Sequence, residues 1–599
     1  MQRIYPSNRA VFSLFFAIVT ACWLQLPALA QTTRPGSADP STDVIARIRD
    51  EGLNHSQVMQ TLGYLTDVIG PRLTGSPNLH HANVWTRDKL TSWGLENAHL
   101  EAWGRFGRGW SLQRFSAQVI EPQDIPLIGY PKAWSPGFDK PIERPVVWLD
   151  ARGESDLEKY AGKLHGAIVL VGSPRDVVAR FEPMGARVAD SDLLQLANAD
   201  NTTVSPPGMA RTMNAADRRA LLESTPLGRF VGRRGGRAAG NATTQPSTRP
   251  ARQLSIGRLM TFLQEEGAAL VVSPSTQGDG GTLFVAAASL PGPDRPIGAN
   301  AANQPHPWSV DAPACPAQIT LAVEHYNRLV HMIQAGENLK MAVDLQVKFH
   351  SDDLDAYNTI AEIPGSDLKD QIVMLGGHMD SWHSATGATD NGAGVASMME
   401  AVRILRALNL QPRRTIRIAL WTGEEEGLFG SKGYVTKHFG YYPEAPARRG
   451  RRGNPATQQS DAQSRPARKL VRESEYENLS VYFNLDNGTG KIRGVYMQGN
   501  DAVRPIFRSW LRPFTDLGAS TLTLSNTGGT DHLSFDAIGL PGFQFIQDPI
   551  EYFSRTHHSN QDSFDRIQAD DLKQASTIIA AFVYQAAMMD QRMPRKPLQ

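Results

Sequence analysis

The chain has 599 residues, of which 41% are hydrophobic and 20% are charged, and its formal net charge is +1. This length exceeds that of most single domains, so two or more hydrophobic cores are expected. The balance of apolar and charged residues excludes a largely disordered chain, and the small net charge excludes a polybasic protein that binds nucleic acid through its overall charge.

An export signal is predicted over residues 1–30. Its parts are two basic residues, Arg3 and Arg9, an apolar stretch over 11–24, and a small-residue cleavage site that ends at Ala30. A membrane anchor is the alternative, but the apolar stretch is short for a bilayer span. Cys22 follows small residues as in a lipoprotein signal, which is a second alternative. We therefore expect an extracytoplasmic protein, periplasmic or secreted, with no transmembrane span.

Once Cys22 has been removed with the signal, Cys315 is the only remaining cysteine, so no internal disulfide is predicted. Residues 31–43 are rich in Pro, Ser and Thr and are predicted to be a disordered leader. Residues 44–115 are predicted to form a helical part, because apolar residues recur there at helical spacing until Gly70 and Pro71. These apolar residues are Val58, Leu62, Leu65 and Ile69.

An inserted, β-rich domain is predicted over residues 116–347, where short apolar runs alternate with Gly and Pro. The runs cover 144–149, 167–172 and 268–273. Two segments rich in Arg and Gly, 228–254 and 446–468, are predicted to be disordered loops. Binding of nucleic acid or another polyanion is the alternative for their basic cores, but in an exported chain we favour solvated loops and expect no nucleic-acid partner.

The last part, residues 348–599, alternates strands and helices and is predicted to be an α/β domain. Strands are expected at 371–375, at 416–420 and at 479–485. Helices are expected around 395–405 and 572–586.

Acidic and imidazole side chains follow these strands, where open α/β sheets form their ligand crevice. They are His378, Asp380, Asp390, Glu424, Glu425, Asp486, His557 and His558. Taken singly, each has a structural interpretation: a core histidine, a helix-capping aspartate, or a solvated acidic turn. Acidic residues crowded at a strand end are costly unless a cation or exposure offsets their repulsion, so together they indicate a metal site.

These motifs resemble, in order and spacing, those of the zinc exopeptidase family that includes bacterial leucyl aminopeptidases and carboxypeptidase Q. The motifs lie at 376–381, 389–394, 424–431, 484–486 and 558–563. The stretch 65–76 is also similar to the corresponding region of carboxypeptidase Q, and 162–171 resembles part of a protease-associated domain. The resemblance implies a mixed-sheet zinc exopeptidase fold, of the phosphorylase/hydrolase type, with an inserted protease-associated domain.

The resemblance also implies a site with two zinc ions. Asp390 would bridge them, His378 and Asp486 would complete one set of protein ligands, and Glu425 and His558 the other. Open positions with His and carboxylate ligands suit catalytic zinc. Asp380 would accept the second N–H of His378, and the peptide bond after Asp390 is expected to be cis.

In the implied mechanism, Glu424 takes a proton from a water that the ions activate and returns it to the leaving amine. Some aminopeptidases of the family have Tyr before the final ligand, whereas this chain has His557, as carboxypeptidase Q does. His557 is therefore a candidate contact for the oxyanion or the substrate, and an exchange of roles with His558 stays open. Arg555 is a candidate for pairing with a peptide carboxylate, the alternative being a surface arginine. Asp531 and His532 are expected at the pocket wall.

The predicted function is the hydrolysis of terminal peptide bonds, by an aminopeptidase or by a dipeptidase of the carboxypeptidase Q kind. Its partners would be peptide or dipeptide substrates, and a homodimer is a further expectation. Two alternatives remain: a receptor-like ectodomain without metal, and a zinc acyltransferase of the glutaminyl cyclase type. Chemically competent residues at all five ligand positions and at Glu424 argue against the ectodomain, and the presence of both His378 and Asp486 argues against the cyclase, which uses fewer metal ions.

Overall fold

The computed structural model describes residues 40–202, 204, 254–293, 305–443 and 469–597. The chain divides into two compact units, Met1–Val44 and Ile45–Gln599. Of the first unit, only the beginning of the helix Pro40–Asn54 is described. The predicted signal peptide and leader up to residue 39 lie outside the described residues, as do the two predicted disordered loops apart from Leu254.

A mixed sheet, here called the first sheet, forms the centre of the second unit. Eight strands among the described residues make it up, in the spatial order Glu96–Arg105, Asp355–Ile363, Arg414–Trp421, Leu368–His378, Leu479–Asn484, Gly542–Gln547, Ile492–Tyr496 and Thr521–Thr523. The four strands from Arg414–Trp421 to Gly542–Gln547 run parallel to one another. Their carboxyl ends therefore meet at one edge of the sheet, the usual place for a ligand crevice.

Helices cover both faces of the first sheet, as expected for buried parallel strands. They are Val58–Gly63, which continues as a wider turn over Tyr64–Ile69, Pro77–Ser92, Ala393–Ala407, Phe429–His438, Arg504–Leu511, His532–Asp536 and Ala569–Met588. The helices Ala393–Ala407 and Ala569–Met588 contact each other and are buried along most of their length. The sequence predicted both of these helices and the three central strands.

The predicted helical part, 44–115, also contributes a strand. Glu96–Arg105 pairs antiparallel with Asp355–Ile363 and forms the outer edge of the first sheet. The sequence does not predict this strand, because its residues are exposed or only partly buried and apolar residues do not alternate with polar ones along it.

The second sheet lies in the segment predicted to be inserted. Its eight strands among the described residues are, in spatial order, Ile125–Pro126, Gly109–Glu121, Lys340–His350, Ile142–Leu149, Ile168–Val171, Leu270–Pro274, Ala317–Leu321 and Gly129–Pro131. Its helices include Asp190–Ala197, Ile256–Glu265 and Val323–Gln334. The sheet begins at Gly109 and ends at His350, slightly outside the predicted boundaries of 116 and 347, because the first and last long strands pair along their full length.

We refer to the described residues between 109 and 350 as the second-sheet domain. Its hydrophobic core is formed by alternating residues of strands such as Ile168–Val171 and Leu270–Pro274, together with the buried face of the helix Val323–Gln334. Within the described part of the chain, no helix combines the length and the apolar character that crossing a bilayer requires.

A network of charged side chains fastens the outer strand of the first sheet to the helix Phe429–His438. Glu101 lies 2.7 Å from both Lys437 Nζ and His438 Nε2, and His438 Nδ1 lies 3.7 Å from Glu475. Burial by itself would lower the pKa of His438, but hydrogen bonds to Glu101 and Glu475 and their charges outweigh burial and raise the pKa to about 9. At neutral pH the imidazole is therefore charged and paired.

This pairing predicts a pH-dependent contribution to stability. An unfolded histidine has a pKa of about 6.5, so the contribution of His438 is complete below that pH and is lost as the pH rises through about 9. We expect His438→Gln to lower the melting temperature at pH 6 and to have little effect at pH 10. Thermal unfolding followed by circular dichroism at both pH values measures this, with exposed His331→Gln as the control. An equal loss at both pH values would contradict the charged pairing.

Candidate metal centre

Four parallel strands bring the acidic and imidazole residues together at one edge of the first sheet. His378 ends the strand Leu368–His378, and Glu424 and Glu425 follow the neighbouring strand Arg414–Trp421. Asp486 follows Leu479–Asn484 on the other side. Asp390 lies within the turn Ala388–Gly392 that leads into the helix Ala393–Ala407, and its carboxylate contacts His378 at the same edge.

One cluster of possible ligands contains His378, Asp390 and Asp486, and all three are buried. His378 Nε2 lies 3.4 Å from Asp390 Oδ1 and 3.3 Å from Asp486 Oδ1. The donor atoms of the three side chains lie within 4.8 Å of one another. The structure thus brings together the residues that the sequence assigned to one zinc ion.

A second cluster forms around His558. Its Nε2 lies 2.9 Å from Glu425 Oε2 and 3.3 Å from Asp390 Oδ2. His557 Nε2 is 3.7 Å from the same Asp390 oxygen, and the two imidazole rings stack with their centroids 3.7 Å apart. Both histidines therefore face Asp390, and the donor atoms of Asp390, His557 and His558 lie within 4.8 Å of one another. Of the two histidines, His558 is the one that also forms an ion pair with Glu425 among the described residues, which favours it over His557 as the ligand.

Asp390 occupies the centre of the two clusters. Its two carboxylate oxygens point to different histidines, and the peptide bond between Asp390 and Asn391 is cis, as the family resemblance implies. Burial by itself would raise the pKa of Asp390, but hydrogen bonds with His378 and His558 outweigh it and lower the pKa well below its usual value. The carboxyl group is therefore ionised, as a bridging ligand must be.

Asp562, which the sequence analysis did not assign, fixes this aspartate. Its carboxylate accepts hydrogen bonds from the backbone N–H groups of Thr389 at 2.6 Å and Asp390 at 3.1 Å. The signal was present in the motif at 558–563, where an acidic residue follows the histidines at a fixed distance. The short turn that carries Asp390 is thus tied to the loop that carries His558.

Asp380 differs in one detail from the prediction. His378 Nδ1 lies 3.1 Å from the backbone carbonyl oxygen of Asp380, whereas the carboxylate oxygen is 3.6 Å away, beyond hydrogen-bond distance. The carboxylate instead accepts hydrogen bonds from Thr74 Oγ1 at 3.2 Å and from the backbone N–H of Glu425 at 3.1 Å. Asp380 therefore orients both His378 and the turn that carries Glu425.

The cluster has an excess of negative charge. Burial raises the pKa of Glu424 well above its usual value, and the nearby charge of Asp486 adds to the effect although His378 opposes it. Burial also raises the pKa of Glu425, to about 7, with His558 opposing and Asp390 reinforcing the shift. A cation placed among these carboxylates would offset their mutual repulsion.

The residues fit a divalent metal by three criteria. The donor atoms form two clusters that share Asp390, and the donors are the imidazole and carboxylate groups that catalytic zinc takes. One oxygen of Glu425 is buried without a hydrogen-bond partner among the described residues. A cleft opens beside Asp390, Glu425 and His558, and Trp382 forms part of its wall.

Arg72, within the stretch 65–76, is a second residue to which the sequence analysis assigned no role. Its side chain is fully buried, and its guanidinium donates hydrogen bonds to the carbonyl oxygens of Met379 at 2.7 Å, Thr386 at 2.8 Å and Gly387 at 2.8 Å. Burial lowers the pKa of Arg72 to about 10, while the charges of Asp562, Asp380 and Asp390 oppose the shift. Arg72 thus holds the chain between His378 and Asp390 in place.

The remaining candidates have the following environments. Arg555 lies 3.1 Å from Glu551 and contacts Met184. It therefore already has a carboxylate partner and is less suited to a peptide carboxylate than the sequence suggested.

Asp531 and His532 are fully buried, and the carboxylate of Asp531 has no hydrogen-bond partner among the described residues. Burial raises the pKa of Asp531 to about 7, with opposition from His378. Asp531 thus adds a further acidic group beneath the cluster.

Comparison with known proteins gives an independent result. Residues 358–583 match peptidase family M28. The chain is 24% identical to carboxypeptidase Q of Mus musculus over 544 residues, which cover 91% of this chain and 88% of that protein. It is 27% identical over 227 residues to aminopeptidase YwaD of Bacillus subtilis, covering 37% of this chain and 42% of the relative.

The fold also resembles a solved structure. The crystal structure of a peptidase M28 precursor from Shewanella amazonensis SB2B superposes with a TM-score of 0.57 at 20% sequence identity. The alignment covers 93% of this chain and 99% of that one. At this identity the similarity establishes the mixed-sheet α/β architecture and nothing finer.

Proposed function

The chain is a metallopeptidase with a domain of peptidase family M28 at residues 358–583, and from this premise we propose that it is an exported exopeptidase that holds two zinc ions. His378, Asp390 and Asp486 would hold one ion, and Asp390, Glu425 and His558 the other. The substrates would be peptides or dipeptides with a free end. The named relatives, a carboxypeptidase and an aminopeptidase, leave the choice of end open.

The position of Asp390 carries this proposal. Asp390 belongs both to the group formed with His378 and Asp486 and to the group formed with His557 and His558, and its two oxygens lie 3.4 Å from His378 and 3.3 Å from His558. Glu425 joins the second group through its contact of 2.9 Å with His558. A structural zinc site would use a closed set of ligands for one ion, commonly with Cys. A carboxylate shared between two clusters instead suits a pair of catalytic ions.

When bound, the ions would supply a water of lowered pKa and a Lewis acid for the peptide carbonyl. Glu424 would move the proton, and its position supports this role, since its carboxylate lies 4.0 Å from His378 Nε2 and its side chain is only 9% exposed. Burial raises the pKa of Glu424, which favours proton uptake and subsequent donation to the leaving amine. His557, beside His558, is a candidate substrate contact; burial lowers its pKa to about 3, so its imidazole is neutral.

The cleft beside the proposed ligands is bounded on one side by an aromatic residue. Trp382 and Ser559 line it together with Asp390, Glu425 and His558. Trp382 lies with its ring centroid 5.9 Å from that of His558, so its indole would face a bound side chain.

Cleavage of end-blocked peptides tests the proposed function. One short peptide is incubated with the zinc-loaded protein in four forms: free, N-acetylated, C-amidated and blocked at both ends. We expect the doubly blocked peptide to be cleaved at least about 100-fold more slowly than the free one, because a charged terminus that loses its partner costs about 3 kcal/mol. Loss on acetylation alone identifies an aminopeptidase, loss on amidation alone identifies a carboxypeptidase, and loss on either modification identifies a dipeptidase. Equal cleavage of all four forms would contradict exopeptidase activity.

The zinc content separates the proposal from its two alternatives. Two zinc ions per chain are expected here, one would favour an acyltransferase of the glutaminyl cyclase type, and none would favour a receptor-like ectodomain. Elemental analysis of the purified protein gives this number directly. Export, the protease-associated character of the second-sheet domain and a homodimer remain predictions from the sequence.

A further inference from the structure

The loop from Asp548 to Asp562, here called the histidine loop, carries His557 and His558. It leaves the first sheet at the end of the strand Gly542–Gln547 and returns to it through the contact of Asp562 with the turn at Asp390. The loop contains no strand, and His558 has a positive φ of 61°. Its position therefore depends on what it contacts.

The second-sheet domain binds the beginning of the histidine loop. Ala186 and Ile550 exchange two backbone hydrogen bonds, of 3.0 Å and 2.9 Å. Asp548 accepts hydrogen bonds from the backbone N–H of Val188 at 2.9 Å and from the Arg187 guanidinium at 2.8 Å. Arg187 also pairs with Asp571 at 2.8 Å and thus links this end of the loop to the helix Ala569–Met588.

The same domain binds the loop again at the proposed metal ligand. The backbone N–H of Val285 donates to the carbonyl oxygen of His558 at 3.2 Å, and that of Asn560 donates to the carbonyl oxygen of Leu283 at 3.0 Å. The side chain of Asn560 completes the pairing: its Oδ1 accepts from the backbone N–H of Leu283 at 2.8 Å, and its Nδ2 donates to the carbonyl oxygen of Gly281 at 3.2 Å.

The other proposed ligands are held differently. His378 ends one strand of the first sheet, and Asp486 follows the strand that pairs with it. Their geometry is fixed by the ladder of the first sheet and by Arg72, Thr74 and Asp380. The difference appears in exposure as well, since the side chain of His378 is 1% exposed and that of His558 is 26% exposed.

We propose that the second-sheet domain positions His558, and that Asn560 is the positioning residue through which it does so. This inference rests on the proposed two-zinc site. The zinc affinity of the position formed by Glu425 and His558 then depends on the contact between the histidine loop and the second-sheet domain. The zinc affinity of the position formed by His378 and Asp486 does not depend on that contact. The two metal positions should accordingly respond differently to a change in the second-sheet domain.

The test is Asn560→Ala in the full chain, with zinc binding measured by equilibrium dialysis against buffered zinc. We expect one zinc ion to bind with unchanged affinity and the other about 10- to 100-fold more weakly, the usual effect of removing a residue that orients a ligand. His558→Ala, which removes the ligand itself, identifies the weakened position. In kinetics at limiting zinc, we expect kcat to fall in Asn560→Ala and to recover when zinc is raised.

Asn327→Ala is the matched control. Asn327 also bridges two backbone groups, accepting from the N–H of Arg175 at 3.1 Å and donating to its carbonyl oxygen at 2.7 Å, but it lies within the second-sheet domain and does not touch the histidine loop. It should leave both zinc affinities unchanged. Thermal unfolding of both variants compares their general destabilisation.

Four outcomes overturn one proposal or the other. Unchanged affinity at both positions in Asn560→Ala, or equal weakening of both, would refute the positioning role of Asn560. The same weakening in Asn327→Ala would show a general effect of the domain's stability and refute it too. Wild-type protein that binds fewer than two zinc ions would instead refute the two-zinc site, and with it the basis of this inference.

Discussion

Replacing Glu424 by Gln is expected to reduce kcat by about 100- to 10,000-fold, the range that general acid–base catalysis contributes. Gln has the size and hydrogen-bonding capacity of Glu but cannot take up a proton. In the structure Glu424 follows the strand Arg414–Trp421 and lies 4.0 Å from His378 Nε2, but it belongs to neither group of possible metal ligands. We therefore expect two zinc ions to remain bound while turnover is lost.

Zinc content and steady-state kinetics on a free peptide, measured on the same preparation, check this expectation. Glu426→Gln is the matched control, because Glu426 is the next buried acid in the same turn and has no role in the proposed mechanism. This variant should retain activity within about tenfold of the wild type, which corresponds to a change of about 1.4 kcal/mol in the activation free energy. Activity in Glu424→Gln close to that of the wild type would remove Glu424 from the mechanism.

Replacing Asp390 by Asn is expected to weaken both zinc ions together. Removing the charge of a buried, paired carboxylate costs about 3 kcal/mol or more, which corresponds to about 100-fold in affinity for each ion. The reason lies in the geometry, since Asp390 Oδ1 lies 3.4 Å from His378 and Oδ2 lies 3.3 Å from His558. Activity at ordinary zinc concentrations should be abolished.

Asp486→Asn provides the comparison, because Asp486 belongs to one cluster only. It should weaken one ion and spare the other, as judged by the same equilibrium dialysis. If Asp390→Asn also weakened only one ion, then Asp390 would not be a shared ligand. The two positions would then have to be assigned to separate residues.

The proposed metal ligands are held in position in two different ways. This difference explains why a substitution in the second-sheet domain should affect one metal position more than the other. Arg72 fixes the segment between His378 and Asp390 through hydrogen bonds to three carbonyl oxygens, all within the domain that carries the first sheet. The histidine loop is held both by residues of the second-sheet domain and, through Asp562, by the turn that carries Asp390. In an exopeptidase with this arrangement, full occupancy of the metal site would depend on the position of the second-sheet domain.

Much of the fold and of the candidate site could be predicted from the amino-acid sequence. The strand Leu368–His378 was recognisable because a compact apolar run, Ile372 to Leu375, suits a buried parallel strand. The helix Ala569–Met588 was recognisable by apolar residues at helical spacing. The candidate site was recognisable because the motif residues follow successive strands, and parallel strands of one sheet carry such residues to the same edge.

The tertiary structure alone decided which groups support the site. Nothing in the local sequence around Asn560 or Leu283 relates these two residues, which contact each other although about half the chain separates them. Asp380 was expected to receive a hydrogen bond from His378, but its carboxylate is directed to Thr74 and Glu425, an arrangement that depends on distant backbone groups. Sequence periodicity reports which face of an element is buried, because burial follows the local geometry of helix and strand. It does not report which distant partners meet there, because that depends on how the elements pack.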